Sequence, residues 1–129
     1  MRNMSFALTT AQFKARTKTV TRRLGWADLG CGDVIQGCEK CQGIKPGEKM
    51  VKLGAIRCVS NHPESLAYLI VNRRYGKAEV IKEGFPHLTA RQFVKMFCEH
   101  MKVEPFQVVN RIEFEYVEPW GGGWKTIKI

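Results

Sequence analysis

Arg111-Ile112-Glu113-Phe114-Glu115-Tyr116 alternates without a break between charged and apolar side chains. Strand residues point by turns to the two faces of a sheet, so the hexapeptide reads as a β-strand. Ile112, Phe114 and Tyr116 take one face; Arg111, Glu113 and Glu115 take the other. Upstream the period changes. Thr89-Ala90-Arg91-Gln92 has the form of a capping box, a hydroxyl followed three residues later by Gln. Phe93, Met96, Phe97 and Met101 then recur three to four residues apart, the spacing of one helix face. A strand-period segment beside a helix-period segment predicts an α+β chain.

Working outward, Met4-Ser5-Phe6-Ala7-Leu8 alternates large and small side chains and predicts a short strand. Thr9 and Thr10 offer hydroxyls to cap a helix starting at Ala11. Residues 16–23 are basic and too β-branched for a good helix. Gly30-Cys31-Gly32-Asp33 predicts a turn, with a strand from Val34 to Glu39 leaving it. Residues 43–49 read as a basic loop, and Met50 to Ser60 as a long strand with Gly54 a bulge or close contact. Between Asn61 and Val71 two readings stay open: a helix from Pro63 through Leu69, or a strand from Leu66 to Val71. Residues 72–76 read as a basic loop, Lys77 to Lys82 as a short helix, and residues 120–124 as a flexible hinge opening a loosely packed tail to Ile129. The sum is one domain over residues 1–129, with one core, in a small, partly open β-barrel with two or three helices.

Composition narrows the function. The chain has 129 residues, 44% hydrophobic and 26% charged, which excludes global disorder. Lys and Arg number 21 against 12 Asp and Glu, a net charge of +9. Such an excess predicts an anionic partner, above all nucleic acid, unless it serves only solubility. No apolar run is long enough to span a membrane. Residues 1–8 turn polar too early for a signal peptide, and five Cys suit free thiols in a reducing cytoplasm.

Lys18-Thr19-Val20-Thr21-Arg22-Arg23, followed by Gly32-Asp33, resembles the signature of the ASCH domain family. That family carries Gly-x-Lys-x-x-Thr-x-Arg after its first helix, then a Gly-Asp turn into a strand. Lys18, Thr21 and Arg23 fall on its Lys, Thr and Arg; Arg16 stands where it has Gly. Glu83-Gly84-Phe85 resembles the family's acidic residue ahead of its long helix, and the strand from Arg111 to Tyr116 its closing strand. The resemblance runs from about Ser5 to Val117. It implies a PUA-like barrel with flanking helices, a fold that in relatives binds RNA or modified bases. Some members are amidohydrolases that cleave the C–N amide bond of acetylcytidine. For such an activity it implies Lys18 as proton acceptor, Thr21 as nucleophile and Glu83 as proton donor.

Residue chemistry sets conditions on that reading. In an extended segment Lys18 and Thr21 point to opposite faces; in a turn they share one. A lysine acts as a base only where burial lowers its pKa. Otherwise Lys18, Arg22 and Arg23 are surface phosphate contacts and Thr21 a strand former. The cations Arg16, Lys18, Arg22, Arg23, Lys45, Lys49, Arg73 and Arg74 lie in three groups whose convergence would form a phosphate track. Trp26, Tyr75, Trp120 and Trp124 are stacking residues or core. Cys38-Glu39-Lys40-Cys41 is a lone CxxC; a metal there would need Cys31, Cys58 or His62, at spacings no familiar zinc site uses. The expectation is therefore thiols, with Cys58 and Cys98 in the core, and no metal or cofactor. Three functions follow: an RNA- or nucleoside-binding domain with a pocket near Lys18, Thr21, Arg23 and Glu83; an acetylcytidine-type amidohydrolase; or a basic module for an acidic protein, without a pocket.

Overall fold

A computed structural model describes residues 1–128. Strands β1 (Asn3–Ser5), β2 (Val20–Arg23), β3 (Val34–Cys38), β4 (Lys52–Ser65), β5 (Val108–Trp120) and β6 (Gly123–Thr126) form one sheet. Helices α1 (Thr10–Lys14), α2 (Tyr68–Val71), α3 (Arg73–Lys82) and α4 (Ala90–Met101) accompany it, with a 3₁₀ turn at Ala7–Thr9. The fold is mixed α+β. The sheet runs β1-β3-β4-β5-β2, and β6 pairs with β5. β1 and β3 are parallel and the other pairs antiparallel. β1 and β2 are unpaired with one another, so the expected barrel is an open sheet.

β5 organises this arrangement. One edge lies along β4 from Val117 opposite Ala55 to Val108 opposite Ser65. The other edge is divided, Asn110–Glu113 taken by β2 and Val117–Trp120 by β6. The strand that alternation predicts at Arg111–Tyr116 is thus the middle of a longer one with three partners. Its apolar face carries Ile112, Phe114 and Tyr116 into a cluster with Met4, Phe6, Phe13, Leu29, Ile35 and Ile56. The edge-on ring of Phe13 lies so close to Gly37 that a Cβ there would stand 2.6 Å from it, so only glycine lets α1 approach β3. A second cluster, Leu66, Leu69, Val80, Phe85, Phe93, Val94 and Val109, sits under α2, α3 and α4. The buried apolar side chains thus form two clusters.

Several local expectations change. β4 starts at Lys52 and continues through Pro63 to Ser65, skipping a residue between Cys58 and Ser60; the helix at α2 follows it. The expected loop at residues 72–76 is the start of α3, with the Asn72 side chain accepting from the Tyr75 N–H. Thr9 occupies the N-cap of α1 without a side-chain capping bond, and the Thr10 hydroxyl donates to Phe6 O at 2.8 Å. The capping box at Thr89 and Gln92 forms in both directions. Phe93 is buried on α4, but Met101 is 38% exposed. The glycines between Trp120 and Trp124 turn the chain from β5 into β6, and Ile127 packs against the first cluster. The expected loose tail is thus paired; its last residue, Ile129, lies outside the described residues. No helix among the described residues is long and apolar enough to cross a membrane.

Candidate functional site

Three segments distant in sequence meet at one place. The Thr19 N–H donates to Lys82 O at 2.8 Å, and the Phe114 N–H donates to Thr19 O. The segment before β2, which begins at Val20, is thereby tied to the end of α3 and to β5. Lys18, ahead of β2, and Thr21, within it, border the same cavity. The cavity measures about 520 Å³ and is bounded by Lys18, Thr21, Arg22, Arg23 and Glu83, by Phe6 and Trp26, and by Phe85, Phe93, Met96 and Phe97.

Lys18 and Glu83 are 2% and 3% exposed. The Lys18 ammonium donates to Glu83 Oε1 at 2.8 Å and to Glu83 O at 2.9 Å. Burial lowers the Lys18 pKa, an effect that Glu83 opposes. The second oxygen of Glu83 accepts from Arg22 Nη1 at 2.9 Å. The expected proton donor is thus a carboxylate held between two cations. Thr21 is buried, and its hydroxyl accepts from Arg23 Nε at 3.0 Å. Among the described residues no hydrogen bond joins Lys18 to Thr21.

Arg22, expected as a surface phosphate contact, is wholly covered. It points to the other face of β2 and meets Glu64 at 2.8 Å, Glu79 at 2.6 Å and Glu83 at 2.9 Å. Burial works against its charge, but these carboxylates outweigh burial and raise its pKa. Arg111 stands opposite Arg22 in the β2–β5 ladder. Two like charges so placed repel, and Glu79 lies between them, accepting from both. Burial pushes the Glu79 carboxyl up, yet the hydrogen bonds from Arg111 and Arg22 bring it down to about 2. The Tyr75 hydroxyl closes the network by donating to Glu64 Oε2. Glu64, Tyr75, Glu79 and Arg111 carry no sequence signal for this role. Their periodicity shows only which faces they occupy, not that α3 covers the charged face of β5.

The other expected cations lie elsewhere. Arg16 borders a separate concavity with Lys14, Phe13 and Tyr116. Lys45 and Lys49 are exposed on the loop between β3 and β4; of that loop, Cys41 and Gln42 reach the cavity. Arg73 and Arg74 are exposed at the start of α3, about 15 Å of helix from its Glu83 end. The three basic groups do not converge on the cavity. Of the aromatic residues, Trp26 borders it beneath the Arg2 guanidinium, Tyr75 belongs to the ion network, and Trp120 is 66% exposed; Trp124 is half-buried on β6.

Cys38 is buried, with Sγ 3.2 Å from Met50 Sδ. Burial and then Cys41 push its thiol up to about 11, so it carries its proton at neutral pH. No three His, Cys, Asp or Glu among the described residues are grouped to hold a metal ion, so Cys38 and Cys41 have no such set around them. Cys58 is buried, and Cys98 is half-buried against the second cluster. No family model, no curated protein and no solved structure matches this chain.

Proposed function

We propose that the chain binds a nucleobase, as a nucleoside or as part of RNA, in the cavity between β2, the end of α3 and α4. One observation carries this reading: Lys18, Thr21, Arg23 and Glu83 share the wall of a cavity of about 520 Å³ whose other walls include Phe6, Trp26, Phe85, Phe93 and Phe97. That volume is in the range of small-molecule sites, which combine apolar walls with a few convergent polar groups. Flat rings suit a base, since every base offers a face for stacking. Lys18 uses two of its three donors on Glu83, which leaves one for a carbonyl oxygen of the base. The net charge of +9 supports a partner that carries phosphate. An ASCH-like domain of PUA-like type acting on RNA in the cytoplasm belongs to this proposal.

Calorimetric titration with the four ribonucleosides tests it. At least one should bind, and Lys18→Ala should weaken that binding about tenfold or more, as loss of a charged hydrogen bond does. Failure of all four to bind, or affinity indifferent to Lys18, would sink the reading. RNA titrated at two salt concentrations should bind less tightly at the higher one.

A second reading is amide hydrolysis of an acylated nucleoside, favoured by the burial that lowers the Lys18 pKa. Thr21 Oγ would attack the acyl carbon while neutral Lys18 takes its proton. Lys18 would pass that proton to Glu83 across their 2.8 Å contact, Glu83 would deliver it to the departing amine, and water would then release the acid. Acetate release from acetylcytidine, absent in Thr21→Ala, supports this reading; release at an equal rate in that variant removes it.

A further inference from the structure

Arg22 and Arg23 are neighbours in sequence with opposite circumstances. Arg22 meets three carboxylates. Arg23 has no carboxylate partner among the described residues. Its Nε donates to Thr21, and its guanidinium carbon lies 4.8 Å above the centre of the Phe6 ring. A cation over an aromatic face gains some attraction, but it leaves the terminal amino groups without acceptors. Guanidinium has five N–H donors, and one is used here. Nearby carboxylates cannot serve: Glu64, Glu79 and Glu83 are already shared among Lys18, Arg22 and Arg111. Arg23 is therefore the cation left over. Burial lowers its pKa to about 10, only partly offset by Glu83 and Cys41. It borders the cavity, so its amino groups have space there for a ligand.

We propose that Arg23 holds a phosphate group with its terminal amino pair, so that the cavity takes a phosphorylated nucleoside in preference to a bare one. The forked donors of Arg fit two phosphate oxygens at once, and an anion there would balance the unpaired charge. The proposal rests on the base-binding reading and names the ligand class for it. A free nucleotide and the phosphorylated end of an RNA share this chemistry.

The test titrates the wild-type chain with the four ribonucleosides, their 5′-monophosphates and inorganic phosphate, and repeats it with Arg23→Gln and Arg23→Lys. Wild type should bind a monophosphate at least about tenfold more tightly than its nucleoside. Arg23→Gln should abolish that ratio, so that the variant binds a monophosphate no more tightly than it binds the nucleoside, and Arg23→Lys, a charge without the fork, should retain part of it. Equal affinity of wild type for nucleoside and monophosphate overturns this inference and leaves the base pocket standing. Arg23-dependent binding of inorganic phosphate without any nucleoside binding keeps the phosphate site and removes the base pocket. Absence of all binding removes both. A 5′-phosphorylated RNA hexamer that binds like the mononucleotide assigns the phosphate to an RNA end; exclusion of the hexamer assigns it to a free nucleotide, and either result upholds the role of Arg23.

Discussion

At Arg16 the backbone has φ of 59°, the left-handed region where a Cβ crowds the following carbonyl. Arg16 is exposed, so its side chain has little packing to lose. Arg16→Gly should raise unfolding free energy by about 0.5–1 kcal/mol, the strain relieved less the entropy that glycine adds to the unfolded chain. Urea denaturation checks this, and a loss of stability would show that the arginine has a favourable contact. The same short stretch shows how much a residue's role escapes its sequence. Lys18, Arg22 and Arg23 are all cations in one basic motif. One is paired to Glu83, one is enclosed by three carboxylates, and one faces a cavity without a carboxylate partner. Residue type set their charge, while the carboxylate partners came from residues 42 to 65 positions away.

Among the elements, α4 was the most legible, because its capping box and its apolar spacing are both local. α3 was legible only in its second half. Asn72 and Gly76 read as loop residues, yet Asn72 is an N-cap and Gly76 is a contact point. A Cβ at Gly76 would stand 1.9 Å from the Leu69 carbonyl oxygen and 3.0 Å from the Ala90 Cβ. Glycine lowers helix propensity, but here it lets α2, α3 and α4 meet. Gly76→Ala should cost about 3 kcal/mol or more, since backbone cannot yield as a side chain tip would. A denaturant midpoint near that of wild type would contradict so close an approach. Moving α3 would also move Glu83, so nucleoside affinity should fall with stability in this variant.

Across the whole molecule, the buried charge network should give stability a pH dependence of definite sign. Glu79 has its carboxyl held near 2, below an ordinary value of 4.5. A depressed acid pKa stabilises the folded state above the unfolded value, and the stabilisation is lost as pH falls through the folded one. Stability by urea denaturation should therefore decline from about pH 4.5 towards 2. In Glu79→Gln that slope should be shallower, and stability at neutral pH should fall by about 3–5 kcal/mol, because Arg22 and Arg111 keep buried charges without their shared acceptor. An unchanged slope would remove Glu79 from the account. Sequence alone determined what depends on near neighbours: the α+β class, the alternating strand of β5, the cap of α4, the net charge and the Lys-x-x-Thr-x-Arg spacing. The tertiary structure decided what depends on which faces meet. It opened the expected barrel into a sheet with β5 holding three partners. It enclosed Arg22 and Arg111 around Glu79, and it brought Lys18, Thr21, Arg23 and Glu83 to one cavity. Periodicity states which side of an element a residue occupies, but burial and ion pairing depend on what covers that side, which only the assembled chain contains.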